Sequence, residues 1–371
     1  MNKKKNLSGK PERPDYWLLA AALLLACFGL MMVLSASGIM AERFFDDKYL
    51  FFKKQAMFLV AGTSLMYLCS RLPKAVFYNM VYVWLMGAFI LLLLCDFSPL
   101  SFSAGGAKRW IVLGPVRIQP LEFCKPALIF YLAYFFSRKQ DMIKTFSVGF
   151  LPPFAITGAL CILLMMQPDF GGSVFLCMIL FFMSLVGGTR ISYLIMSLFF
   201  AGGAGYMLIT SSPYRLKRMT AFIDPFKSAH NEGYQLVQSL YAFGSGNIFG
   251  QGLGAGKQKL FFLPEAHNDF IMAVVGEELG FIGVTVVFLV IGFLLWRGFK
   301  IALAQDDLQD RFTAYGMTIM LALGFTLNLA VVMGTVPPKG VPMPFVSYGG
   351  SSLLVSCFCI GILLNLSRGK V

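Results

Sequence analysis

Long apolar runs broken by short polar joints set the pattern of this chain from residue 17 onward. A helix needs about 20 apolar residues to cross the hydrocarbon core of a bilayer. Scanning for such runs predicts about ten spans, at 17–37, 55–70, 76–95, 121–137, 146–166, 173–187, 190–210, 269–295, 312–333 and 345–366. The second and sixth are short, so nine is the lower count. Backbone groups in lipid must be satisfied within the segment, which selects helices. The predicted fold class is an all-α polytopic membrane protein. A basic tail over 1–16 precedes one integral membrane domain over 17–371, with a long extracytoplasmic loop, about 211–268, between helices 7 and 8. The first span follows Lys3, Lys4, Lys5, Lys10 and Arg13 and ends in "SASG", like a signal peptide; its length and the spans after it favour a retained anchor.

Composition agrees with this pattern. The chain has 371 residues, 57% hydrophobic and 13% charged, with mean hydropathy +0.72, against roughly 45–50% apolar and about 25% charged in soluble domains. With the N-terminus inside, sixteen cations fall on inside segments, Lys370 among them, and eight on short outside loops. That imbalance predicts an N-in/C-in topology. The net charge of +13 is dispersed over both faces, so anionic lipid headgroups, not nucleic acid, are the expected counter-charge. All eight cysteines fall in or at the ends of apolar runs and only His230 and His267 are present, so neither a disulfide framework nor a His-rich metal site is indicated.

Four stretches interrupt the apolar pattern: "AKRWIVLGPVRIQPLEFCK" at 107–125, "QPDFGGS" at 167–173, the long loop running into Asp269, and "PPKGVPMPFVSYGGSS" at 337–352. In the N-in topology each lies outside and leads into an even-numbered helix. Helix N-termini attract anions, so four such ends on one face can line an anion-handling cavity. Asp269 is the carboxylate at the water–membrane boundary, and a simple helix cap with first-turn acid is its plainer explanation. A helix N-terminus would lower its pKa, and partial desolvation would be needed to offset that.

Glu277 and Glu278 sit at a depth where an acid costs about 2.5 kcal/mol or more unless paired. Consecutive helical positions lie about 100° apart, so one is expected to face a polar cavity while the other bonds a neighbouring helix or loop. Gly276 and Gly280 stand in G-x-x-x-G spacing, which reads as close helix packing. Glu122 and Lys125 share a helix face as a candidate ion pair, either structural or substrate-facing. "QPDFGGS", with Asp169, favours a structural turn. Arg215, Lys217, Arg218, Lys257 and Lys259, beside apolar residues, suit a segment lying on the membrane and meeting headgroup phosphate. Trp110 reads as an interfacial anchor or a platform for a sugar ring.

The ordered set "LSAS", "KRWIVLG", "QPLEFCK", "QPDFGG", "GYQLVQSLYAFGSGNIFGQGLG", "FLPEAHNDFI", "GEELGFIG", "KGVPMPFVSYGGSS" and "LLNLSR" covers nearly the whole chain. It resembles the SEDS family (shape, elongation, division and sporulation) of polytopic peptidoglycan glycosyltransferases. "PEAHNDFI", "GEELG" and "PPKG" are closer to its division-associated, FtsW-like and sporulation-associated branch than to the elongation-associated one. Leu121 stands where the family carries serine and Asn268 where it carries threonine, which puts local hydrogen bonding in question.

The resemblance implies polymerisation of lipid II on the outer face of the cytoplasmic (inner) membrane during septal cell-wall synthesis, with release of undecaprenyl pyrophosphate and with Asp269 as the essential loop aspartate. It also implies a class B penicillin-binding protein and other divisome proteins as partners. In that chemistry a sugar hydroxyl attacks an anomeric carbon, and Asp269 is the candidate base. The leaving pyrophosphate needs positive charge from among Arg109, Arg215, Lys217, Arg218, Lys257, Lys259 and Lys339, or from a divalent cation, Mg or Mn, beside Asp269. Backbone N–H groups around Ser347, Gly349, Gly350, Ser351 and Ser352 offer a neutral cradle, and His267 joins the substrate-binding set. Asp169, Glu277 and Glu278 are assigned structural support. Two rivals are a lipid II flippase, which predicts gateable polar residues on both faces, and a non-catalytic scaffold for a transpeptidase.

Overall fold

A computed structural model describes residues 13–99, 101–104, 107–114 and 116–368. Lys3, Lys4, Lys5, Lys10 and Lys370 lie outside the described residues. α1 (Tyr16–Phe45) starts where the Asp15 carboxylate accepts the N–H groups of Trp17 and Leu18. α2 (Leu50–Arg71), the short α3 (Lys74–Tyr78) and α4 (Val81–Phe97) follow. After the strand segment come α5 (Pro120–Arg138), α6 (Leu151–Met166), α7 (Phe170–Gly187) and α8 (Ile191–Thr210). α9 (Pro213–Ile223) and α10 (Tyr234–Gly246) belong to the long loop. α11 (Ile271–Leu303), α12 (Leu308–Val332) and α13 (Gly350–Ser367) complete the chain. Among the described residues seven helical segments are long and apolar enough to cross a membrane: α1, Phe146–Met166, α7, α8, α11, α12 and α13. The predicted spans that become α2, α4 and α5 are shorter or more polar.

The all-α expectation needs a correction. Between α4 and α5 the chain forms a three-stranded antiparallel sheet, β1 (Ser101–Ala104), β2 (Ala107–Leu113) and β3 (Val116–Ile118), in the order β1-β2-β3. Trp110 stands opposite Phe102, and Arg117 opposite Val112. Gly114 takes φ +60 between paired Leu113 and Val116, the left-handed backbone that a two-residue hairpin requires. The aromatic and β-branched run "WIVL" followed by Gly-Pro carried this signal.

α13 runs along α2, α12 lies between α5 and α11, and α1 packs on α11. Two ion pairs, one buried and one with its lysine partly exposed, close one end of the bundle. Asp15 meets Arg297 at 2.5 Å and Lys74 meets Asp310 at 2.6 Å, while the Asp15 N–H donates to Ser367 Oγ at 3.0 Å. The bundle therefore begins at Asp15, inside the stretch assigned to the basic tail.

Gly280 was expected to serve helix packing, but it breaks α11, with φ 64 and ψ −165, a region essentially restricted to glycine. The break frees the carbonyls of Glu277 and Glu278 and the N–H groups of Phe281 and Ile282. Each finds a partner in the long loop: Gln251 N donates to Glu277 O and Gly252 N to Glu278 O, while Phe281 N donates to Asn247 O and Ile282 N to Ile248 O, at 2.9–3.2 Å. All four groups are thereby satisfied, as an apolar setting demands.

Candidate active site

The opposite end of the bundle gathers all four interrupting stretches. Ser347 Oγ donates to Asn268 O at 2.6 Å and Tyr348 N to His267 O at 3.0 Å, joining the loop before α13 to the loop before α11. Gln119 N donates to Ser351 Oγ at 3.2 Å, joining the start of α5 to α13. Arg109 of β2 donates through Nη2 to Pro168 O at 2.7 Å, and Lys339 Nζ donates to Gly171 O, so both reach the corner that opens α7.

Asp269 stands at the mouth of α11, half-buried. The helix-cap explanation does not hold, because the N-cap position is Phe270 and no side chain caps the helix. Burial raises the Asp269 carboxyl from 3.8 to about 7, helped by the negative charge of Glu265 and opposed by Arg109. Desolvation thus outweighs any helix-terminus effect and leaves an acid poised to exchange a proton near neutrality. Behind it, Asn328 Nδ2 donates to Asp269 O at 2.8 Å and to Val341 O at 2.7 Å.

The positive side of the site is formed by Lys339 and Arg109. Burial brings the Lys339 ammonium down to about 8, with Asp169 and Glu122 opposing the fall and Lys125 and Arg109 adding to it. Arg109 Nε is buried, 4.0 Å from Asp169 Oδ1, and has no hydrogen-bond partner among the described residues. An unpaired buried donor next to a second cation suits an anionic ligand. Asp169 caps α7 by accepting Gly172 N at 2.9 Å, so its carboxylate holds the corner on which Arg109 and Lys339 converge.

Several candidates prove to be framework. Lys125 and Glu122 close a buried ion pair at 2.5 Å, with the Lys125 ammonium 4.4 Å above the Phe175 ring; the structural reading of this pair replaces the substrate-facing one. Lys259 leaves the substrate-facing set because it is sealed in an ion pair with Glu278 at 2.5 Å and reaches Ser35 Oγ at 3.0 Å. Neither Glu277 nor Glu278 faces an open polar cavity. Glu277 accepts the N–H groups of Lys257 and Gln258, and Glu278 accepts Gly254 N, Ser35 Oγ and Lys259. Both acids bind the long loop to α11.

Ser347 Oγ is committed to Asn268 O and Met343 N, and Tyr348 N to His267 O. The neutral cradle therefore contracts to the first turn of α13, Gly350 to Ser352, where no side chain caps the helix. His267 lies between Phe51 and Tyr348, with ring centroids at 4.9 and 5.8 Å, and burial holds its pKa below the usual histidine value against the pull of Glu265. Trp110 is half-buried on β2. Arg215 of α9 donates to Leu208 O and lies 6.0 Å from the Phe170 ring, near the α7 corner. Lys217, Arg218 and Lys257 are exposed on the loop. Of the two departures, Leu121 is buried in the core, while the Asn268 amide donates to Glu265 Oε2 at 3.4 Å.

Sequence reasoning passed over Gln55 and Asn328, both 1% exposed. Gln55 Nε2 donates to Ser347 O at 3.1 Å and Asn328 ties two site loops together. A lone carboxamide within an apolar run was the available signal. Among the described residues no three His, Cys, Asp or Glu side chains cluster as a metal site. A cation beside Asp269 would have Glu265 as its neighbouring acid, consistent with a weak, largely hydrated ion only.

The family described as "Cell cycle protein" (FTSW_RODA_SPOVE) matches residues 16–370. A probable peptidoglycan glycosyltransferase FtsW of Geobacter sp. (strain M18) is 42% identical over 96% of this chain and 97% of its own. The stage V sporulation protein E of Bacillus subtilis (strain 168) is 40% identical over 98% and 99%. Among solved structures, a chain of a peptidoglycan synthase complex that coordinates polymerization and crosslinking superposes with a TM-score of 0.80 at 26% identity, covering 96% of this chain and 98% of that one. The rod shape determining protein RodA of Thermus thermophilus gives 0.69 at 26%, covering 96% and 97%.

Proposed function

This chain belongs to the FtsW/RodA/SpoVE family of cell cycle proteins and is a peptidoglycan glycosyltransferase of the membrane; we propose that it polymerises lipid II with Asp269 as general base. The observation that carries this reading is a half-buried carboxylate that burial raises to about 7, within reach of the Arg109 charge and in near contact with Gly340, next to Lys339. A base works best when its pKa lies near the working pH. As the acceptor sugar's hydroxyl oxygen bonds to the donor's anomeric carbon, its proton passes to Asp269. The bond from that carbon to the pyrophosphate oxygen breaks, and the charge developing there is met by Arg109, Lys339 and the first-turn N–H groups of α13.

The substrate's form accounts for the site's position, since its sugars and pyrophosphate are in water while its tail is in lipid. We place the site end of the bundle on the outer face, with the Asp15–Arg297 end inside and ten passages in all. The positive-inside imbalance and the alternating direction of the helices support that placement. At the inner end, Arg297, Lys74, Asp15 and Asp310 are consumed in ion pairs, which disfavours a gated lipid path and hence the flippase reading. The synthase-complex relative and the FtsW-named relatives support a class B penicillin-binding protein partner and action at the septum.

The test is a polymerisation assay on purified protein with lipid II, with and without a class B penicillin-binding protein, and with chelator. Glycan strands formed with partner present are expected; their absence under all conditions, with lipid II instead crossing vesicles, would establish the transporter. Loss on chelation would assign part of the positive charge to a divalent cation.

A further inference from the structure

Asn328 lies in α12, little more than a turn before the end of that helix. Its two Nδ2 hydrogens go to two carbonyls, Asp269 O and Val341 O. Because both partners are acceptors, the amide cannot be turned over, and its Oδ1 is left buried with no hydrogen-bond partner among the described residues. An apolar side chain of the same size would avoid that desolvation but strand both carbonyls, so what the amide supplies is the tie between them. The carbonyls belong to two different stretches: one is the peptide of Asp269 itself, the other follows Lys339 and Gly340. These stretches are in near contact, since a Cβ built on Gly340 would stand 2.6 Å from Asp269 Oδ2.

Taking Asp269 as the base, we propose that Asn328 is a positioning residue, which sets the separation between the Asp269 peptide and the Lys339–Val341 stretch and so keeps the carboxylate partly out of water and aligned with the cationic corner. A misplacement of about 1 Å at a reacting group can cost roughly a hundredfold in rate, so a group that touches only the backbone of the base can govern it.

Asn328→Leu, nearly isosteric and without donors, is the test. It is expected to lower kcat by roughly 10- to 100-fold with KM for lipid II changed less than about threefold. The acid limb of the kcat–pH profile, set near 7, is expected to move down as the carboxylate hydrates. The charged groups acting on Asp269 are Glu265 of its own loop and Arg109 of β2, and neither is altered; His267, two residues away, stays between Phe51 and Tyr348. Thermal unfolding in detergent is expected to fall modestly, since two carbonyls lose their donor.

Asn328→Ser, smaller and with one donor, supplies the same readouts should leucine not be accommodated. Gly340→Ala, which crowds the same carboxylate, is expected to combine non-additively with either. Wild-type kcat and an unmoved acid limb in whichever variant folds would overturn the proposal, as would a loss of kcat that only tracks the fraction of folded protein while the acid limb stays in place. Asp269→Asn separates this from the reading beneath it. If that variant still polymerises, the base assignment is wrong; if it is dead while Asn328→Leu behaves as wild type, only the positioning role is wrong.

Discussion

Asp269→Asn replaces the proposed base with an amide of nearly the same shape. Moving a carboxyl from 3.8 to about 7 corresponds to an upper limit of roughly 4 kcal/mol, at about 1.4 kcal/mol per pH unit. Because the group is only half-buried, a penalty of roughly 1–2 kcal/mol after solvent screening is the working figure. The sign follows from the direction of the shift. A raised acid binds its proton more tightly in the folded state, so there is no penalty below about pH 4. The penalty grows between about pH 4 and 7 and is complete above that. The amide never bears it. Asp269→Asn should therefore be more stable than wild type at pH 8, with the difference vanishing toward pH 4, while polymerisation falls by roughly 10²–10⁴-fold. The paired measurements are thermal unfolding of detergent-solubilised protein from pH 4.5 to 8 and lipid II polymerisation with the partner present. Wild-type kcat should itself rise with pH and level off above about 7. Polymerisation by the variant within tenfold of wild type would refute the base assignment, and a stability difference independent of pH would refute the desolvated carboxylate.

Lys125→Ala should strand the Glu122 carboxylate in the core, at a cost of roughly 3–5 kcal/mol, and appear as reduced yield and a lowered unfolding temperature, with activity falling in step with folded protein. Gly280→Ala forces a side chain into φ 64, ψ −165 and against the Gly250 backbone; strain of roughly 1–3 kcal/mol plus the clash should unfasten the long loop, read as faster proteolysis within 247–260.

The apolar periodicity placed the long helices because hydrophobicity over about 20 residues is a local property. The four polar stretches were legible for the same reason, and so was Asp269 as their acid at the boundary. What could not be read was pairing across long sequence separations. Lys259 and Glu278 are nineteen residues apart, Ser35 and Glu278 are 243 apart, and nothing local separates a lysine that meets a phosphate from one that meets a buried acid. Gly280 looked like helix packing because spacing alone does not reveal φ. The sheet at 101–118 was masked by a composition resembling an ordinary polar joint, although the β-branched and aromatic run at 110–113 before Gly-Pro was visible. Asn328 and Gln55 were missed because single amides in apolar runs were outweighed by charges.

The interchange of backbone bonds at the α11 kink makes residues 247–252 and 277–282 one mechanical body. A flap hinged on that loop would have to break four peptide hydrogen bonds where water is scarce, so opening of the catalytic mouth must come from elsewhere, with this body turning as a block. Amide protons on both sides of the seam should then exchange with solvent together, at one slow rate, instead of fraying from the loop inward.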